Sequence, residues 1–241
     1  MRLARLPVLV AILALVLLLV SGPGTRMDLW TFRTGFSLMT WATYLGLAAA
    51  ALAILLLLIP RARRGHAKTL VFGMLMGFAA TVMPLLGYYT AKTVPFIHDI
   101  STDTMRPPEF VAILPLRDDA PNPATYGGAE VAAAQKAGYP DLATQILDQA
   151  PADAFAHAEK VARDMGWEIV AAVPEAGRIE ATDTTFWFGF KDDIVIRIEA
   201  EGEASRIDIR SVSRVGKSDV GKNASRIRAF VKALGSHPIQ S

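Results

Sequence analysis

Residues 205–223 read SRIDIRSVSRVGKSDVGKN, and the fold of the second half of the chain follows from how that stretch divides. Ile207 and Ile209 alternate with Arg206, Asp208 and Arg210, the period-two pattern of a half-buried strand. Gly216 and Gly221 then punctuate a loop, and Ile227, Phe230, Val231 and Leu234 recur beyond it at helical spacing. A strand that ends in a glycine loop before a helix N-terminus can turn backbone N–H groups toward an anion. Extended to Lys232, the stretch carries eight Lys/Arg against two Asp.

Working outward, residues 167–173, 178–188 and 193–201 precede the 205–214 strand as three more strands. The turns around Pro174–Gly177, Gly189 and Gly202 are too short for parallel crossovers, so the four strands form an antiparallel meander. Phe155, Ala158, Val161, Ala162 and Met165 make one apolar stripe on a helix that starts at Pro151 and stops at Gly166. With the helix at 223–234 the order α-β-β-β-β-α predicts a two-layer α+β domain, a four-stranded meander covered by two helices. Residues 92–150 read as an extended Pro-rich arm with one or two short helical turns, laid over the domain surface. The uncovered sheet face is expected to carry Arg197, Arg206, Asp208 and Arg210, with the aromatic run Phe186, Trp187, Phe188 and Phe190 nearby.

The first 91 residues are a different material. They hold eight Lys/Arg and one acid, Asp28, for a net +7, whereas residues 92–241 carry a net −5. The sequence pI of 8.9 averages the two. Residues 6–20 are apolar apart from Pro7 and follow Arg2 and Arg5; residues 38–59 and 69–89 are longer runs without a charge. Counted over 3–22, the first run has 20 residues, about enough to span a ~30 Å hydrocarbon core. Pro23 is a poor residue just after a cleavage point, which favours an uncleaved helix over a signal peptide. Arg61, Arg63, Arg64 and Lys68 crowd one short loop, which the positive-inside rule keeps in the cytoplasm.

The expectation is therefore a multi-pass protein of the bacterial inner membrane: a three-helix transmembrane anchor over 1–91, with a cytoplasmic N-terminus, and a periplasmic domain over 92–241. No Asp, Glu, Lys, Arg or His lies within 6–20, 38–59 or 69–89, and such residues mark most ion and proton pathways, so the spans read as an anchor and not as a pump. The Gly73/Gly77 pair allows close helix approach.

Chemistry is harder to find. Cysteine is absent, which removes disulfides and thiolate metal sites. His98 beside Asp99 invites a metal reading, but His157 and His237 stand at no ligand-like spacing, so no metal and no cofactor are expected. Residues 216–223 match GxxxxGK with Asn223 where a phosphate-binding loop needs Ser or Thr, and the preceding strand belongs to a meander; nucleotide and nucleic acid are not expected partners. The plain account has Gly216 and Gly221 supplying positive φ, with Asp219 or Asn223 capping the last helix.

The phrases PFIHDISTDT (95–104), PPEF (107–110), AGYPDL (137–142), ATDTTFWFGFKDDIVIRI (181–198) and SRIDIRSVSRVGKSDVGKNASRI (205–227) together resemble the bacterial domain-of-unknown-function family numbered 1499. The resemblance covers about residues 92–235 and implies no assigned chemistry and no catalytic residues. From the residues themselves, the domain is expected to bind an anionic envelope component, such as anionic lipid or glycan, or another envelope protein. The candidate site is Arg197, Arg210, Ser211, Ser213, Arg214, Gly216, Lys217, Ser218, Asp219, Gly221 and Asn223, with His98, Asp99, Asp192 and Asp193 as secondary candidates. In this expectation Arg210, Arg214, Lys217 and the loop N–H groups converge where the last helix begins. The alternative is an extracytoplasmic hydrolase using Ser and Asp groups between residues 192 and 219, although no Gly-x-Ser-x-Gly elbow frames them.

Overall fold

The computed structural model describes residues 2–238, with the side chain of Arg2, the expected basic start, outside the description together with Met1 and residues 239–241. The chain divides into two compact units, residues 1–90 with 186–189, and residues 91–185 with 190–241.

The first unit is built from α1 (Arg2–Arg26), α2 (Phe32–Leu58), the single turn α3 (Pro60–Arg63) and α4 (Ala67–Thr93). Over Leu3–Arg26, Phe32–Leu58 and Ala67–Thr93 these helices are long and apolar enough to cross a membrane. Small residues set how closely they pack. A Cβ on Gly77 would stand 2.5 Å from the Gly46 carbonyl oxygen of α2, and one on Gly73 would stand 3.0 Å from the Val8 nitrogen of α1. The GxxxG pair of α4 is thus used within the chain, one glycine against each neighbouring helix. Leu9, Leu55 and Leu86 are left exposed.

The second unit carries the sheet, and its strand count corrects the expectation of four. Its seven strands are β1 (Asp99–Ser101), β2 (Gln145–Leu147), β3 (Glu168–Val173), β4 (Arg178–Thr184), β5 (Lys191–Glu201), β6 (Ala204–Ser213) and β7 (His237–Pro238). They run in the order β3-β4-β5-β6-β2-β7, and β1 also pairs with β6. The meander β3 to β6 is antiparallel as expected. The extra strands come mainly from the arm, and at two or three residues they are too short to show alternation. β1 pairs with β6 at Asp99↔Val212 and β2 pairs with it at Gln145↔Ile207, so the two lie end to end along one side of β6. That side would otherwise be a bare sheet edge.

The aromatic run also moves. β4 ends at Thr184, and Phe186–Phe190 lies in the β4–β5 connection, closed where Phe190 N donates to Thr185 Oγ1 at 2.8 Å. The arm further contains α5 (Gly128–Gly138) and a short 3₁₀ turn at Leu114–Arg117.

One sheet face is covered by α6 (Pro151–Asp164) and α7 (Lys222–Leu234). Ile179, Ile194, Ile196, Ile207 and Ile209 meet Phe155, Ala158, Ile227, Phe230 and Leu234 there, and Trp167 stacks on Phe230 at 5.5 Å. On the opposite face a smaller core forms from Val195 and Val212 with Phe110 and Ile113 of the arm. The arm therefore roofs the face that carries the arginines.

Candidate functional site

β5 and β6 sort the candidate residues by parity. Arg197, Asp208, Arg210 and Val212 share the arm face with Asp193 and Val195, while Asp192, Ser211 and Ser213 point to the helix face. Asp192 and Asp193 are consecutive, yet they belong to separate networks on the two faces.

On the arm face each arginine meets a carboxylate. Arg210, 2% exposed, grips Asp99 with two prongs, Nε to Oδ1 at 2.8 Å and Nη2 to Oδ2 at 2.7 Å. It also donates to the carbonyls of Pro108 and Ala124, and it lies over the rings of Phe110 and Tyr126 at 5.1 and 5.3 Å. Burial, with a further push from Asp99 and against the pull of Arg210, raises the Tyr126 hydroxyl to about 12. Arg214 grips Asp193 in the same two-pronged way at 2.8 Å for each bond, and Arg117 of the arm meets the same carboxylate.

Asp208 accepts from Arg197 at 2.7 Å, Arg206 at 3.2 Å, Thr102 at 3.1 Å and Thr144 at 2.6 Å. Asp103 joins the group through Arg197 and Arg206. Burial raises the Asp103 carboxyl, but the N–H groups of Arg106 and Met105 and the Arg197 guanidinium outweigh it and hold the carboxyl below its ordinary value. Glu180, fully buried, accepts from the N–H groups of Val111, Ala112 and Ile113, each at 3.0 Å, and from Arg178 Nε at 2.9 Å. It is the counterpart of an anion-binding nest, with the protein supplying its own anion.

On the helix face Asn223 is fully buried. It accepts from Ser211 Oγ at 2.8 Å and donates to Ser213 Oγ at 3.1 Å and to the His98 carbonyl at 2.9 Å. Arg226 donates to Asp192 at 2.6 Å and to Asp183 at 2.7 Å. The two serines are thus tied into a buried amide–guanidinium network, and the imidazole of His98 faces elsewhere, with Nδ1 3.4 Å from the Lys217 carbonyl.

Gly221 is the N-cap residue of α7 and has no side chain to offer, so the Asp219 carboxylate, two residues earlier, serves the first turn in its place. Asp219 Oδ1 accepts from Gly221 N at 2.8 Å and Oδ2 from Asn223 N at 2.7 Å. Burial raises the Asp219 carboxyl more than these two bonds lower it; Asp192 adds to the rise and Arg226 opposes it. Gly216 and Gly221 have φ of +98° and +78°, as the plain reading required. Val220 is held at φ +54°, a strained conformation for a β-branched residue, with its N–H donating to Ser218 Oγ. Arg210 and Arg214 have turned to the arm face, so of the basic side chains expected to converge at the loop only Lys217 remains with it. Lys217 is exposed and makes no ion pair among the described residues.

Lys217 borders a cleft of about 310 Å³ that also involves His98 and Asp99. Its walls are Phe96, Ile97, Pro123 and Val131, and Phe96 is 71% exposed. This arrangement can take an apolar group between the walls and a negative charge at the rim. Sequence reasoning missed Phe96, Pro123 and Val131, because nothing local marks arm residues that meet only through tertiary packing.

No curated protein compared with the chain matches it. A family model described as "Protein of unknown function (DUF1499)" matches residues 99–234, more than half of the sequence, and the chain belongs to that family.

Proposed function

We propose that this is a multi-pass protein of the bacterial inner membrane, with a cytoplasmic N-terminus and a periplasmic domain that binds an anionic, amphiphilic envelope component. The placement rests on the charge-free runs and on the basic loop Arg61–Lys68. The single observation that carries the binding reading is the cleft of about 310 Å³ with apolar walls and the unpaired Lys217 at its rim. That volume lies at the lower end for small-molecule sites, which are concave, mostly apolar and carry few polar groups. An anionic phospholipid fits this chemistry, because its charge sits at one end of an apolar body.

The test uses the full chain reconstituted in bilayers containing phosphatidylglycerol with a photoactivatable group near the headgroup. Adducts are expected on peptides containing Phe96–Asp99 and Lys217, in addition to those on the apolar helices. Lys217→Glu should remove the first set and spare the second. Adducts confined to the helices in the wild-type protein would refute the reading.

A further inference from the structure

A second cavity, of about 290 Å³, lies on the arm face and is lined by Arg106, Arg178 and Arg197 with Glu109 as its one acid. It shares no lining residue with the Phe96–Lys217 cleft. We infer that it is an oxyanion site, built to take a phosphate group through the guanidinium groups of Arg178 and Arg106, with the Arg197 guanidinium adding positive charge to the wall.

The carboxylates that pair with these arginines do not line the cavity. Glu180 holds Arg178 by Nε and is itself sealed under the Val111–Ile113 N–H groups, and Asp208 and Asp103 hold Arg197 by Nη2. Nη1 and Nη2 of Arg178 make no hydrogen bond among the described residues, while its side chain remains a quarter exposed. Arg106 is exposed and engages Glu199 through Nη2. Arg197 Nε is buried without a hydrogen-bond acceptor, 3.6 Å from Glu199. Arg197 Nη1 donates to the Arg106 carbonyl at 2.8 Å, so Arg197 contributes charge to the wall, while the partly exposed Arg178 and the exposed Arg106 keep donors for a ligand. Planar guanidinium forks match the geometry of phosphate oxygens.

Free phosphate esters and lipid headgroups both supply this chemistry. The experiment titrates the detergent-solubilised full chain with inorganic phosphate by calorimetry, and then displaces bound phosphate with glycerol 3-phosphate or with nanodiscs containing phosphatidylglycerol. Saturable binding is expected, weakened by added salt. Arg178→Gln and Arg106→Gln should each weaken it about tenfold or more, the loss of one charge-assisted bond. Arg228→Gln, which removes an exposed pair with Asp141, should leave it unchanged. Displacement by the soluble ester alone assigns the site to free phosphates, and displacement by the nanodiscs assigns it to headgroups. If Arg178→Gln fails to fold, the exposed Arg106→Gln decides. No saturable binding, or binding that both cavity variants retain, overturns the inference, as does an equal loss in Arg228→Gln.

Discussion

Replacing Arg210 by Met removes a cation that stands at the centre of the arm–sheet junction. The side chain is 2% exposed and its partner Asp99 is 3% exposed, so the carboxylate left behind is almost wholly screened from bulk water. Asp99 would lose both of its charged donors, and the carbonyls of Pro108 and Ala124 would each lose one. Breaking one side of a buried pair of this kind costs roughly 3–5 kcal/mol. At about 2–4 °C per kcal/mol for a domain of this size, the midpoint should fall by roughly 6–20 °C. The assay is thermal unfolding of the full chain in detergent, followed by near-UV circular dichroism, to which the stacked pair Trp167–Phe230 in the sheet core contributes. Two companions give the result its meaning. Lys217→Ala, exposed and unpaired, should stay within about 0.5 kcal/mol of wild type. The double variant Asp99→Leu/Arg210→Met should recover most of the loss, because an apolar pair of similar volume often replaces a buried ion pair at little cost. A single variant that melts within about 1 kcal/mol of wild type, or a double variant no better than the single one, would refute the claim that unpaired charge is the cause.

Asp219→Ala should cost roughly 0.5–2 kcal/mol at neutral pH through loss of the α7 cap, measured by urea unfolding, whereas Ser218→Ala should cost less. Asp103 is held below its unfolded value, so its contribution is present above about pH 3.9 and is lost as pH falls through the folded value; Asp103→Asn should flatten that part of the acid limb. A periplasm-active phosphatase fused after His66 should be inactive and one fused after the last residue active, and the reverse pattern would overturn the membrane orientation.

How much of this was legible in the sequence depended on distance along the chain. β5 and β6 announced themselves because isoleucines recur at alternate positions, 194, 196 and 198 in one and 207 and 209 in the other, and the caps and turns of α7 were local. Asp219 bonds to N–H groups two and four residues away, which is why it stood among two candidate caps before any fold was known. The partners of the arginines could not be read in this way. Asp99 is 111 positions from Arg210, and Asp193 is 76 from Arg117. An Asp in an irregular arm gives no local sign of which guanidinium it will meet. The three-residue strands β1 and β2 were hidden for a related reason: a period of two cannot be established over three residues. The basic character of 205–232 was correctly seen, but a run of arginines on alternate positions of a strand says which face they share and not what roofs that face.

The arm explains why so many of these charges are buried. Its backbone is largely irregular, so it cannot be fixed by a long ladder, and the absence of cysteine rules out a covalent staple. What remains is a set of directional contacts spaced along its length: Asp99 on Arg210, Asp103 on Arg197 and Arg206, the Val111–Ile113 N–H groups on Glu180, and Arg117 on Asp193. Phe110 and Ile113 add apolar contact between them, and apolar contact alone would let the arm slide. The two-pronged Asp99–Arg210 pair has one geometry and fixes one position of the arm against β6, and the single-bond pairs add anchor points along the rest of it. The same arrangement leaves outward-facing donors only where a guanidinium has more N–H groups than its carboxylate can use. Arg178 and Arg106 are the arginines in that condition around the arm-face cavity, which is why the binding chemistry of this face falls to residues outside the basic stretch.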